Sequence, residues 1–170
     1  FEGHDVSINI MRRLLQAKGV EVIHLGHNRS AKEVVDAAIH EDAHAICLSS
    51  YQGGHVEYFT YVNDLLKESG AHSIRIFGGG GGVITPKEIE LLEARGITKI
   101  YSPADGMKYG LDGIIDDIVK KSQHSTTEGM NWKPYEGRSD LSALELSKVI
   151  SFIENHGESP IKKTTKKKIP

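Results

Sequence analysis

Apolar positions along this chain follow two alternating periods, one typical of helices and one typical of buried strands. Five segments space their apolar residues three or four positions apart, which predicts helices over residues 5–18, 30–41, 56–69, 86–95 and 106–121. Short apolar runs lie between them and predict four strands, over residues 20–25, 43–49, 73–77 and 97–101. The signals at the helix starts agree with this: Ser30 and Glu33 have the spacing of a capping box, and Pro86 suits a first helical position.

Regular alternation of helices with short apolar strands is typical of a parallel sheet that helices cover on both faces. We therefore predict an α/β doubly wound parallel sheet, flavodoxin-like (Rossmann-like), over residues 1–122. In the flavodoxin-like strand order 2-1-3-4-5, the first strand is an interior one. Because the sequence begins at a helix, we expect that this first strand belongs upstream of Phe1 and is missing here.

The character of the sequence changes after residue 122. Residues 123–138 are polar and irregular, and residues 139–155 carry an apolar face that predicts one more helix. The lysine-rich run over residues 162–168 is typical of a solvated linker. We interpret residues 123–170 as a linker that contains one helix.

Composition excludes several classes of function. A net charge of -2 over 170 residues gives no indication of nucleic-acid binding, and no apolar run approaches the roughly 18 residues of a membrane span. The single cysteine, Cys47, lies in an apolar strand-like run, where we expect a buried structural thiol. One cysteine allows no internal disulfide, which favours a reducing compartment such as the cytoplasm.

Polar residues and glycines collect where the predicted strands end. In an open α/β sheet, ligands bind outside the carboxyl ends of the strands. The residues that we expect at this edge are Glu2, Gly3, His4, Asp5, Ser7, Ser49, Tyr51, Gly53, Gly80, Gly81, Gly82 and Ser102.

His4 is the candidate metal ligand. A metal-bound imidazole usually donates its other N–H to a carboxylate, and Glu2 lies two residues before it. Zinc requires three or four protein ligands, so a single histidine suits a metal that brings its other ligands, as in a corrin or porphyrin. A surface or helix-capping histidine remains the alternative interpretation.

Five successive glycines, Gly78 to Gly82, follow the third predicted strand. Their bare backbone favours close approach of a bulky flat ligand. A flexible loop and a phosphate cradle remain open, although no Lys-Ser or Lys-Thr pair follows the glycines as phosphate binding would require.

These residues resemble the signature of the cobalamin-binding domain of the adenosylcobalamin-dependent acyl-CoA mutases, the methylmalonyl-CoA mutase family. That signature is Asp-x-His-x-x-Gly, then Ser-x-Leu, then Gly-Gly. Here the three blocks read Glu2 to Ser7, Ser49 to Tyr51, and Gly81-Gly82. The departures are Glu2 for Asp, Ser7 for Gly and Tyr51 for Leu. Within the family the likeness is to the N-terminal part of the fused isobutyryl-CoA mutases.

The resemblance implies a cofactor module for a radical isomerase. By it, His4 is the lower axial ligand of cobalt in adenosylcobalamin bound base-off, and Ser49 contacts the displaced nucleotide tail. It implies that the parent protein interconverts isobutyryl-CoA and butyryl-CoA, or methylmalonyl-CoA and succinyl-CoA, and that this chain alone is not catalytic. It further implies an acyl-CoA domain and a GTPase domain that binds GTP and Mg²⁺ in the same parent chain, which forms a homodimer.

Two other classes share the predicted fold. A corrinoid carrier module of a methyltransferase or sensor would have the same histidine block without an acyl-CoA partner. A flavodoxin-like nucleotide-binding or receiver domain would bind no corrin.

Overall fold

The computed structural model describes residues 3–50, 53–131 and 133–156, and within these it leaves out the side chains of residues 3–6 and 156. It contains six α-helices, three strands and one short 3-10 helix in this part of the chain. In chain order they are α1 (Gly3–Ala17), α2 (Ala31–His40), β1 (Ala45–Ser49), α3 (His55–Glu68), β2 (Arg75–Gly79), α4 (Pro86–Ala94), β3 (Lys99–Tyr101), α5 (Pro103–Ser122), the 3-10 helix Lys133–Tyr135 and α6 (Ala143–His156).

The three strands form one parallel sheet in the order β1-β2-β3. One face of the sheet packs in a core with α2, α3 and α4, whose most deeply buried side chains are Phe59, Val62, Leu66, Ile76, Leu92 and Ile100. The opposite face packs with α1 and α5 through Leu15, Phe77, Ile114, Ile115 and Ile118. Helices on both faces confirm the predicted doubly wound α/β fold.

Local capping signals fix where the helices begin. Ser30 and Glu33 form the predicted capping box at α2, and Thr85 with Glu88 forms a second one at α4, where Pro86 is the first residue. Ser102 and Asp105 form a third box at α5. Each box satisfies backbone N–H groups that a helix otherwise leaves without a partner.

The prediction of a strand over residues 20–25 is wrong for the described structure, which assigns no strand there. The alternation that suggested it is real: Val20 and Val22 pack on the α1 and α5 side, whereas Leu25 packs in the core on the other side. A strand also needs a hydrogen-bonded neighbour. Within the described residues β1 pairs with β2 alone, and residues 20–25 pair with no strand.

Two other boundaries differ in ways that affect the site. The strand expected to end at Phe77 extends to Gly79, because Gly78 and Gly79 pair with Leu48 and Ser49 of β1. The helix expected from residue 106 begins at Pro103 and is broken at Gly110, whose φ of 66° and ψ of 175° are not helical. That φ is in the left-handed region, which glycine reaches without a steric cost.

Helix α6 begins at residue 143, four residues later than the prediction. It packs on α2, and Val149 and Ser147 are buried there. Part of the predicted linker is therefore packed on the folded sheet domain. No helix in the described part of the chain is long and apolar enough to cross a membrane.

Candidate functional site

One face of the sheet carries the candidate site. Because side chains alternate along a strand, Cys47, Ser49, Phe77, Gly79 and Tyr101 share the face that packs with α1 and α5. The register places Ser49 beside Gly79 and Gly79 beside Tyr101, at the carboxyl ends of β1, β2 and β3. These three residues therefore form one row across the sheet.

Helices α1 and α5 pack on this face of the sheet. Their later turns pack together through Leu15 and Ile115, and Lys18 Nζ lies 2.8 Å from Asp116 Oδ1. Their earlier turns, which lie toward the carboxyl ends of the strands, leave large apolar side chains exposed: Ile10, Met107, Tyr109 and Leu111, of which Met107 is 84% exposed. We call the part of the sheet face that carries Cys47 and the row of Ser49, Gly79 and Tyr101, beside these turns, the slot.

Cys47 lies on the same face of β1 as Ser49, two residues before it. The prediction of a buried thiol is wrong, because the Cys47 side chain is solvent-exposed. Nearby protein atoms nevertheless desolvate the thiol and raise its pKa to about 11. Its raised pKa keeps the thiol protonated at neutral pH, which makes it a poor nucleophile.

The glycines from Gly78 to Gly80 are explained by different contacts at different positions. A side chain at Gly78 would put its Cβ 2.4 Å from the ring of Phe59, and one at Gly80 would put it 2.2 Å from the carbonyl oxygen of Ser50. Packing inside the protein therefore requires glycine at both of these positions. At Gly79 the nearest atom to such a Cβ is the carbonyl oxygen of Tyr101 at 3.5 Å, an ordinary van der Waals contact, so packing inside the chain does not require glycine there.

Gly81 and Gly82 form an exposed turn beyond the strand end. Their φ values are 56° and 96°, and the N–H of Val83 donates to the carbonyl of Gly80 across the turn at 3.0 Å. This left-handed backbone requires glycine or a similarly permissive residue. Gly53, on the neighbouring loop, is also exposed, with no atom within 4 Å of the position of a Cβ.

Tyr101 forms one wall of the slot. Its hydroxyl donates to Asp117 Oδ2 at 2.7 Å, and its ring stacks on Phe77 with centroids 6.4 Å apart. Burial and the hydrogen bond to the Asp117 carboxylate together raise the pKa of Tyr101. Burial opposes ionisation of Asp117, but hydrogen bonds from Lys121 and Tyr101 lower its pKa overall. The hydroxyl is thus hydrogen-bonded to α5, and the ring is the part of Tyr101 that gives the slot an apolar surface.

The structure describes two more of the predicted site residues, Ser102 and Ser7, and gives Ser102 a role inside the chain. The Ser102 hydroxyl donates to Asp105 Oδ2 at 2.7 Å and accepts from the Asp105 N–H as the cap of α5. The Asp105 pKa is lowered first by the hydrogen bond from the backbone of Ser102. Ser7 lies on α1 and is exposed. Contact of either residue with a ligand stays a prediction.

Several predicted residues lie outside the described side chains. Glu2 and Tyr51 are not described, and at Gly3, His4 and Asp5 the structure gives the backbone of α1 alone. Among the side chains that it does describe, no group of three or more His, Cys, Asp and Glu could hold a metal ion.

The structure adds Gly79, Tyr101 and Cys47 to the slot. The sequence contained a signal for Gly79. Alternation from Phe77 predicts that Gly79 lies on the same face as Phe77, provided that the strand continues past residue 77. The prediction ended the strand at Phe77 because glycines disfavour strands. Parallel pairing with β1 outweighs that preference.

Comparison with known proteins identifies the family. Residues 1–106 match the family described as the B12 binding domain. The fused isobutyryl-CoA mutase of Paraburkholderia xenovorans is 64% identical over 121 residues, which are 71% of this chain and 10% of that protein. The fused isobutyryl-CoA mutase of Geobacillus kaustophilus is 60% identical over 126 residues, 74% of this chain and 12% of that protein.

A more distant relative has a different named substrate. The methylmalonyl-CoA mutase of Escherichia coli is 28% identical over 123 residues, 72% of this chain and 16% of that protein. This chain thus spans 10% to 16% of the length of these three relatives. The family match and the parallel α/β fold agree with the predicted resemblance. This chain belongs to the B12-binding domain family.

Proposed function

We propose that this chain binds adenosylcobalamin base-off, with His4 as the lower axial ligand of cobalt, as the cofactor module of an acyl-CoA mutase. The observation that carries the proposal is the slot: Ser49, Gly79 and Tyr101 lie side by side at the carboxyl edge of the sheet and none of them is fully buried. At the position of a Gly79 Cβ the nearest atom is a backbone oxygen at 3.5 Å, so no side chain opposes the approach of a flat aromatic base to that point. The family match supports a cobalamin cofactor, and the form bound and its ligation are our proposal.

The residues of the slot suit the displaced nucleotide tail. The Ser49 hydroxyl can exchange hydrogen bonds with it, because Ser49 is exposed at the end of β1. Gly79 allows the ring to approach the strand backbone, and the Tyr101 ring supplies an apolar wall. Glu2 would accept the second N–H of the His4 imidazole and fix its tautomer. When bound, adenosylcobalamin supplies the radical chemistry of the rearrangement.

Other predicted residues belong to the proposed rim of the site. They are Gly3, Asp5, Ser7, Tyr51, Gly53, Gly80, Gly81, Gly82 and Ser102. The turn at Gly81 and Gly82 presents bare backbone at the carboxyl edge, as an approaching ring system would require.

The substrate and partners of the whole protein are part of the proposal. Identity of 60% and 64% to fused isobutyryl-CoA mutases favours isobutyryl-CoA and butyryl-CoA over methylmalonyl-CoA and succinyl-CoA. We include an acyl-CoA domain and a GTPase domain in the same parent chain, a homodimer, and a cytoplasmic location.

The test is electron paramagnetic resonance of cob(II)alamin bound to the full-length protein, with ¹⁵N-labelled histidine. We expect nitrogen coupling from one imidazole, and its loss in His4→Ala. The matched control is His40→Ala, because His40 is exposed at the end of α2, which packs on the opposite face of the sheet from α1. Coupling from the benzimidazole nitrogen, unchanged by His4→Ala, would contradict His4 ligation. The same loaded protein is assayed with isobutyryl-CoA and methylmalonyl-CoA, and turnover of methylmalonyl-CoA alone would contradict the substrate assignment.

A further inference from the structure

His55 and Glu88 join the two loops that border the slot. His55 is the first residue of α3, after the loop that follows Ser49, and it is only 7% exposed. Glu88 lies in the first turn of α4, after the glycine turn. His55 Nε2 lies 3.3 Å from Glu88 Oε1.

Glu88 uses its two oxygens for different partners. Oε2 accepts from the Thr85 N–H at 2.8 Å and from the Thr85 hydroxyl at 2.7 Å, which completes the capping box of α4. Oε1 faces His55. One carboxylate therefore fixes the start of α4 and connects it to the start of α3.

The same two loops also meet at the backbone. The Ser50 N–H donates to the Gly79 carbonyl at 2.9 Å, and the Ser50 carbonyl lies against the bare Cα of Gly80. The loop after β1 is thus held to the loop after β2 at the sheet edge and again at His55. Gly54, which precedes His55, provides no side-chain cap for α3 and has a φ of 84°. The link to Glu88 is accordingly a side-chain restraint on the start of α3.

We propose that the contact between His55 and Glu88, the loop clamp, positions Ser49 and Gly79 for the nucleotide tail of the cofactor, so that His55 is a positioning residue for cobalamin. This inference rests on the proposed function. His55 is nearly buried and its partner lies on the adjacent loop, so its side chain acts through the loops and makes no contact with the tail. Loss of the clamp lets the loops separate and misplaces the two residues that face the slot.

If His55 positions the loops, its loss should weaken the binding of cobalamin more than the binding of cobinamide. A purely structural role of His55 would not distinguish the two ligands. Cobinamide has the corrin ring but lacks the nucleotide tail, so only cobalamin depends on the slot. In the full-length protein we expect His55→Leu to weaken cobalamin binding by about tenfold or more, and to change cobinamide binding by less than about threefold. Leucine keeps the buried volume and removes the polar contact with Glu88.

Two further variants control the experiment. In His55→Gln the side-chain amide can donate to Glu88, and we expect most of the cobalamin affinity to return. His72→Gln is the matched control, because His72 is exposed on the loop that enters β2 at the opposite edge of the sheet. Thermal unfolding of each variant reports whether it is folded.

The outcomes separate the two proposals. If the wild-type protein binds no cobalamin, the proposed function fails. If the wild type binds cobalamin and folded His55→Leu loses affinity for cobalamin and cobinamide equally, or for neither, the loop clamp is overturned. If His55→Leu does not fold, Glu88→Ala decides by comparison with Glu33→Ala, which removes the equivalent capping carboxylate of α2 and leaves His55 and Glu88 intact. A ratio of cobalamin to cobinamide affinity that falls in Glu88→Ala alone supports the clamp, and an equal ratio in the two variants overturns it.

Discussion

Gly78 and Gly79 are adjacent in sequence and face opposite sides of the sheet. Gly78 faces the core, where a Cβ would meet Phe59 at 2.4 Å and Ile100 at 2.7 Å. Gly79 faces the slot, where the nearest atom to a Cβ lies at 3.5 Å. Substitutions at the two positions therefore separate folding from binding, because Gly78 contacts only the core and Gly79 faces only the slot.

We expect Gly78→Ala to lower the free energy of unfolding by about 1 to 3 kcal/mol, since the added methyl group overpacks the core. We expect Gly79→Val to leave the free energy of unfolding within about 1 kcal/mol of wild type while it abolishes tight cobalamin binding, because the side chain fills the slot. Chemical denaturation and cobalamin titration measure the two effects. Tight binding by folded Gly79→Val would contradict the slot as the site of the tail.

Cys47 offers a direct probe of the slot. Its thiol is exposed and its pKa is raised to about 11 by desolvation, so the reactive thiolate is scarce at neutral pH. We expect alkylation of Cys47 by iodoacetamide to be slow at pH 7 and to accelerate until the pH reaches about 11. Bound cobalamin should protect the thiol. Mass spectrometry of the Cys47 peptide measures both, and an alkylation rate already at its maximum by pH 9 would contradict the desolvated position.

Helix α6 is attached to the sheet domain by a buried polar cluster as well as by apolar contacts. Asp42 is buried at the end of α2 and accepts a hydrogen bond from the hydroxyl of Thr126. Lys148 Nζ, on α6, lies 3.4 Å from Asp42 Oδ1 and donates to the Thr126 carbonyl at 2.8 Å. Three separate segments therefore meet at one carboxylate.

We expect Lys148→Met to lower the free energy of unfolding by about 2 to 3 kcal/mol, because it leaves the buried Asp42 carboxylate with too few partners. The matched control is Lys120→Met, whose side chain is exposed on α5, and it should change stability by less than about 0.5 kcal/mol. Denaturant titration followed by circular dichroism measures both variants. Equal stability of the two would contradict an anchoring role for the cluster.

What the sequence could predict about these elements depends on how far apart the determinants lie. The start of α2 was predictable because Ser30 and Glu33 are three residues apart. The absence of a strand over residues 20–25 was not predictable. A strand depends on a hydrogen-bonded neighbour, and the apolar alternation of these residues does not report whether a neighbour is present. The docking of α6 depends on Asp42 and Lys148, which are 106 residues apart, and no local pattern reports such a contact.

At the level of the whole molecule, the sequence predicted the doubly wound architecture, which is confirmed, and a site at the carboxyl edge of the sheet, which stays a prediction. Both follow from the order of helices and strands, which local periodicity encodes. It missed Tyr101 and did not separate Gly79 from its neighbours, because membership of the slot depends on the register between strands. It favoured ligand approach for all five glycines, whereas Gly78 and Gly80 are required by contacts inside the chain.

The capping boxes of α2, α4 and α5 make this molecule unequally sensitive to acid. The pKa values of Glu33, Glu88 and Asp105 are all lowered, in each case first by a hydrogen bond from the backbone of the capping residue. A carboxyl group with a lowered folded pKa stabilises the protein above its ordinary pKa, and this stabilisation disappears as the pH falls through the folded value. Acidification below about pH 4.5 therefore loosens the helix starts before it affects the apolar cores.

Two of these helices, α4 and α5, follow β2 and β3 in the chain, so their first turns lie toward the carboxyl edge of the sheet, where we place the slot. Mild acid should consequently release a bound cofactor from a protein that is still folded. Hydrogen exchange between pH 7 and pH 3, corrected for the intrinsic rates, should show protection lost at residues 85–88 and 102–105 while the amides of β2 stay protected. Simultaneous loss of protection at these helix starts and in β2 would contradict the prediction, because the helix starts and the sheet would then respond to acid together.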